Sequence, residues 1–343
     1  MSDLKRVFKG LPKKFWLIII IVVIAICALP ALFTSLPSII DFTETGQIGD
    51  TIGGVMGPFI AIVAALLTFF AFWVQFDANR ELANENRRNH FESRFYKMLD
   101  IHLENVAILN KSTKDKGLDS CFHVWYYEIL NLFNLLKVQG DFGGFVDSIK
   151  NDYKDEPTQE GFLSFLDRIQ SSNTEYQKVI FEIAYSYFYE KNFSTLRYGD
   201  NKETFYVVQF ASLFTTYLTE VLKKEISGEQ KNELLGRYYR HLFQIVKYVD
   251  GQADDLFEEK NWKKEYVSLL RSQMSDYEQL MLYYNAQSSY GRDWDENHYI
   301  ENYRMIKNIP HLEKAFSIGI PPIERYYQVI EDLEAKGENF FER

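Results

Sequence analysis

Arginine and histidine fall close together twice near the C-terminal end of this 343-residue chain. "RDWDENH" holds Arg292 and His298, and "RMIKNIPH" holds Arg304 and His311. A guanidinium can grip a phosphate while a nearby imidazole moves a proton. Three other stretches carry polar residues on or beside apolar helical faces. "FYKMLDIHLENV" holds His102 and Asn105. "RYYRHLFQIVKYVDGQ" holds Arg240, His241 and Lys247, with Arg240 and Lys247 on one helical face. They suit an anion site or ion pairs with nearby carboxylates. "YVSLLRSQMSDYEQLMLYYNAQSSYG" holds Arg271, Gln273, Glu278 and Asn285. Gln273 is expected on the buried stripe of Tyr266, Leu270, Tyr277, Leu280, Met281 and Tyr284, with Asn285 at its border. Buried amides need partners, so a polar network between helices follows.

The Arg–His spacing resembles that of helical toxin ribonucleases of the HEPN type. Pairs so spaced also arise by chance in a chain with this many Arg and His, and Pro310 interrupts the second. No HExxH metal motif, Walker sequence, dinucleotide fingerprint or nucleophile elbow is present. The two cysteines, Cys27 and Cys121, lie in regions that cannot meet, and no zinc spacing exists. No cofactor and no metal are expected. A non-enzymatic role is favoured over the alternative of a tethered nuclease or other toxin enzyme built on Arg292 and His298.

The stretch "GDTIGGVMGP", Gly49–Pro58, has glycines enough to cradle a phosphate but no Lys or Arg to reach one. Its flanks explain it better. Phe15–Ile40 and Pro58–Phe76 carry no charge, and about 20 apolar residues cross a bilayer. Spans are expected at about 15–36 and 58–76, forming a hairpin over 15–76. The first run exceeds the roughly 7–15 apolar residues of a signal peptide, so it is expected to be retained. Lys5, Arg6, Lys9, Lys13 and Lys14 precede it, and Arg80, Arg87, Arg88, Arg94 and Lys97 follow the second. The connection has only acids, Asp41, Glu44 and Asp50. Both termini are therefore expected on the cytoplasmic side, with the glycines outside. Gly49, Gly53 and Gly57 recur every four residues and would let another helix approach closely. Alternatively they form a turn, with Pro58 opening the second span.

The rest organises around these elements. Residues 1–14 form a basic cytoplasmic N-terminus, and 77–110 a juxtamembrane helix with Phe91, Phe95, Met98, Leu99, Val106 and Leu109 on one face. Residues 111–343 form a helical sensor or effector domain. Helical periodicity predicts elements at about 120–138, 160–171, 174–192, 203–225, 229–250, 260–287, 295–308 and 321–336, with an irregular loop at 138–148. The fold class is all-α. Net charge is −10, and residues 101–343 hold 28 Lys/Arg against 39 Asp/Glu. That balance argues against broad nucleic-acid binding.

The order of "GDTIGGVMGPFIAIVAALLTFFAFWVQ", "FYKMLDIHLENV", "YYRHLFQIVKYV" and "LLRSQMSDYEQLMLYYNA" resembles the bacterial putative phage abortive infection protein family, over roughly 45–310. The resemblance implies antiviral defence at the inner membrane, with no catalytic residues to carry over. The expected partners are the lipid bilayer, further copies of the chain and a phage component or infection signal. A non-catalytic scaffold for a separate effector is a further alternative.

Overall fold

The structure is a computed structural model that describes residues 20, 21, 24, 28, 45–114, 120–138, 142–217, 231–309 and 318–342. All regular structure among these residues is helical, in agreement with the expected class. Contacts divide the chain into two units, 1–90 and 91–343.

Helix α1 (Thr45–Lys114) begins well before Pro58, passes through it and ends past the boundary between the units. The glycine stretch is thus helical, and the alternative of a turn with Pro58 opening the second span does not hold. Proline fits helical φ but lacks the amide proton that would bond four residues back and crowds the carbonyl there. That residue is Gly54, whose backbone adjusts most freely. α1 is long and apolar enough to cross a membrane, with a mean hydropathy of 2.4 over its most apolar window, of which 6% is buried. Phe59, Phe69, Phe72, Trp73 and Phe76 are all more than half exposed. It is the one such helix among the described residues. The other expected span, 15–36, lies outside them except at Ile20, Ile21, Ile24 and Ala28, which are helical.

The second unit starts at Phe91, where the apolar face of α1 turns inward. Phe91 stacks on Tyr248 at 5.5 Å between centroids. It meets Trp262 edge-on at 5.2 Å and Tyr266 at 4.9 Å. Phe257 closes the ring at 5.7 Å. Tyr266 donates a 2.6 Å hydrogen bond to Glu92, and the Arg94 guanidinium sits 4.7 Å over Tyr248. The expected stripe continues with Phe95, Leu99 and Leu109 buried and Met98 and Val106 packed against the core.

α2 (Cys121–Val138), α3 (Phe142–Tyr153), α4 (Glu160–Ser171), α5 (Asn173–Glu190) and α6 (Asn201–Tyr217) follow. α3 occupies most of the expected loop. Its Gly143 and Gly144 weaken a helix, but Phe142, Phe145, Val146 and Ile149 keep helical spacing against the core. α7 (Asn232–Asp250) buries Leu235, Tyr238, Tyr239, Leu242, Ile245, Val246 and Val249, a complete core-facing stripe.

The helix expected over 260–287 is two, α8 (Trp262–Ser272) and α9 (Asp276–Gln287). Ser275 starts the second through a capping box with Glu278. Gln273 therefore sits at the α8 terminus and is exposed, not on the buried stripe. α9 is buried from Glu278 through Ala286, so it is the axis of this unit, with α2 packed against it. The expected 295–308 helix is broken into α10 (Asp293–Glu296) and α11 (Tyr299–Tyr303), because His298 and Arg304 adopt left-handed φ of 55° and 50°. α12 (Pro322–Arg325) and α13 (Tyr327–Glu334) complete the chain.

Phe91→Ala should destabilise the 91–343 unit by about 3–5 kcal/mol, the usual cost of emptying a buried aromatic site. Urea unfolding of the detergent-solubilised protein, followed by tryptophan fluorescence, checks this. A loss below about 1 kcal/mol would mean that the surrounding rings do not depend on Phe91.

Candidate functional site

The residues singled out in the sequence separate into a buried centre and a cleft, both within the 91–343 unit. In the centre, His102 is fully buried, and neither ring nitrogen has a hydrogen-bond partner among the described residues. Its ring lies 5.2 Å from Tyr238 and 6.3 Å from His241. Burial, helped by the neighbouring His241, lowers its pKa to about 4, so it is neutral at physiological pH. His241 is tied by Nε2 to the Met98 carbonyl at 2.9 Å. Tyr238 donates to Glu278 at 3.0 Å, and Glu278 also accepts from the Ser275 amide at 2.9 Å. Burial raises the Glu278 carboxyl above its usual range and, with Glu278 nearby, pushes the Cys121 thiol up to about 12. A thiol so protonated is a packing group, not a nucleophile. His102, His241 and Glu278 thus come together as structural polar residues of the core, while Asn105 is half-buried on α1.

Arg271 serves elsewhere. Its Nη1 donates to the carbonyls of Tyr303 and Arg304, both at 3.1 Å, and so fastens α8 to the end of α11.

The cleft has a volume of about 800 Å³ and runs along the outer face of α7. Gly236, Arg240, Gln244 and Lys247 share that face at helical spacing. Arg240 and Lys247 are exposed, and neither has an ion-pair partner among the described residues. Aromatic rings also line the cleft. Tyr189 faces Tyr290 at 4.7 Å, and Phe243 meets Trp294 edge-on at 5.3 Å. Tyr189 reaches the Asn232 carbonyl at 3.3 Å across Gly236. A Cβ at position 236 would stand 2.7 Å from the Tyr189 hydroxyl and 3.2 Å from Arg240 Nη1. Asn285 lines the base and donates to Tyr185 at 3.1 Å. Glu190, Glu233 and Asp293 add acids, so the cleft offers both signs of charge with aromatic faces and amides. The Thr195 hydroxyl donates to Glu190 within the cleft, and among the described residues no cluster of metal-ligating side chains exists.

Residues 230–314 match the model of the putative phage abortive infection protein family.

The resemblance read from the sequence is thus borne out over that segment. No curated protein and no solved structure matches the chain. The matched segment supplies α7 to α11 and most of the cleft's lining, with Tyr189, Glu190 and Thr195 contributed from outside it. Those three were not legible in the sequence, since only the fold brings the end of α5 onto α7.

Arg292 and His298 play separate parts. Arg292 lies on the wall of a second cleft, which His298 does not line. His298 is exposed and 3.2 Å from Glu301. Arg304 pairs with Glu338, and His311 lies outside the described residues. The second cleft also contains Glu182, a carboxylate missed in the sequence, whose oxygens accept from the Ser289 amide at 3.0 and 3.2 Å. Burial raises it to about 7, with Ser289 and Arg292 pulling the other way.

His102 and Glu182 give opposite pH dependences. His102, near 4 in the fold against 6.5, contributes stability that is present above 6.5 and lost as pH falls toward 4. Glu182, near 7 against 4.5, contributes stability that is present below 4.5 and lost as pH rises through 7. Each full shift is worth roughly 3 kcal/mol, and the two act in opposite directions between these limits. Urea midpoints measured from pH 4.5 to 6.5 should fall with rising pH in His102→Leu and climb in Glu182→Gln. Parallel profiles for both variants and the unaltered protein would contradict this assignment.

Proposed function

We propose that this phage-defence protein acts from the bacterial inner membrane, where its helical unit reads an infection signal and a membrane hairpin responds. The family match supports the defence role. The observation that carries the membrane part is the uncharged, outward-facing run 58–76 of α1. Rings such as Phe69, Phe72 and Trp73 are exposed there without any polar face to justify contact with water. With the flanking cations, that run supports a two-span topology with both termini in the cytoplasm.

This run and the residues Phe91 and His102 belong to one helical element, α1. Gly49, Gly53 and Gly57 are exposed, and a Cβ at each would meet nothing within 4 Å. They leave a smooth strip suited to a second copy of the chain. The abortive-infection cleft is the proposed sensor, with Arg240 and Lys247 free to meet the signal.

An alkaline wash of membranes should leave the protein in the pellet, and release into the supernatant would end the membrane reading. During infection, a potential-sensitive dye should report depolarisation. Cells that die with an unchanged potential would remove the membrane as target, and a 77–343 fragment that still arrests growth would point to an enzyme instead. Gly53→Leu should abolish protection in plaque assays, as should Arg240→Ala combined with Lys247→Ala. The latter pair should change the unfolding free energy by no more than about 0.5 kcal/mol, since both side chains are exposed. Full protection by the paired variant would exclude the cleft as sensor.

A further inference from the structure

We propose that the second cleft of the 91–343 unit binds a small phosphate-bearing anion. The cleft has a volume of about 320 Å³. Four cations reach its walls, Lys178, Arg197, Arg292 and Arg325, against one acid, Glu182. This concentration stands out in a chain of net charge −10.

Two of the cations are already engaged. Lys178 pairs with Glu175 at 3.1 Å, and Arg325 with Asp295. Arg197 and Arg292 are exposed and have no carboxylate within ion-pair distance among the described residues. They come from distant stretches, one from the turn after α5 and the other from the start of α10, yet they share one cavity. Arg197 spends one donor on the Leu196 carbonyl at 2.9 Å, which orients the guanidinium and leaves its other donors available. Gly199 turns the chain directly after it with a left-handed φ of 54°.

The single acid does not neutralise the cleft. Glu182 is buried, and its oxygens face the Ser289 amide. Arg292 acts on that carboxylate from the cleft wall, and both it and Arg197 remain exposed there. Like charges held together with no packing role are costly unless an anion joins them. Guanidinium forks match the tetrahedral oxygens of phosphate, often in pairs. The cavity's size suits pyrophosphate or a phosphomonoester. This site is independent of the membrane reading and of the abortive-infection cleft.

The experiment is isothermal titration of the full-length protein in detergent with inorganic pyrophosphate and, separately, glucose 6-phosphate. Saturable binding of either is expected, and which one binds more tightly distinguishes a free inorganic anion from a phosphomonoester. Arg197→Ala and Arg292→Ala should each weaken it by on the order of tenfold, the usual loss of one charge-assisted fork. Arg197→Lys should restore only part, because an ammonium lacks the fork. Lys260→Ala, an exposed cation that lines neither cleft, should change nothing, and ligand-free urea midpoints of the arginine variants should match the unaltered protein. No saturable binding, or binding that survives both arginine substitutions, overturns the proposal. So does binding of a short single-stranded RNA, dependent on Arg197 and Arg292, when neither small anion binds.

Discussion

The cluster of rings around Phe91 is the contact on which the 91–343 unit depends. Phe91 gathers Tyr248 from α7, Trp262 and Tyr266 from α8, and Phe257 from the turn between them. Those helices build the face that carries the cleft. Edge-to-face aromatic pairs add directional energy to apolar burial, so the cluster fixes how α7 is rotated as well as where it lies. Rotation decides whether Arg240 and Lys247 face outward. The polar contacts at its margin, Tyr266 to Glu92 and Arg94 over Tyr248, keep the same register.

α9 meets a harder constraint. Nine consecutive residues from Glu278 to Ala286 are buried, and they include Glu278, Gln279 and Asn285. Each polar group is matched. Gln279 accepts from the Asn308 amide at 2.9 Å, Asn285 donates to Tyr185, and Glu278 is held between Tyr238 and its own helix cap. Such satisfied networks specify one arrangement of neighbours. The family match falls across this axis, so the segment's polar residues serve the architecture of the core as well as the cleft.

How much could be seen in the sequence follows from how far apart the interacting residues lie. Local periodicity was sufficient for α2, α4 and α7, whose stripes are regular. The break at Ser275 was also written locally, as Ser followed three residues later by Glu, but the apolar pattern on both sides masked it. Gln273 was misplaced for that reason. At Phe142–Tyr153 the opposite happened: paired glycines suggested a loop, while the spacing of Phe142, Phe145, Val146 and Ile149 prevailed. Arg240 and Lys247 were legible as a common face. Their partners across the cleft were not, because Tyr189 and Thr195 reach it only through tertiary packing. Glu182 is one acid in a helix that is buried on every side from Val179 to Ser186, and its partner, the Ser289 amide, lies more than a hundred residues away in the chain.

Gly236 illustrates how little separates a binding surface from a filled one. It stands mid-helix, where glycine is a poor choice for the backbone by about 1 kcal/mol, yet its missing side chain is what admits the Tyr189 phenol to the back of the cleft. A single methyl group there would act as a plug carried by the protein itself. Pressure on Tyr189 would pass to the Tyr290 ring against it, and from there to Thr195, which is bonded to Tyr290 at 3.1 Å. The recess is therefore held open by one hydrogen atom, and its shape can be retuned from inside the helix without altering any side chain that a visitor would touch.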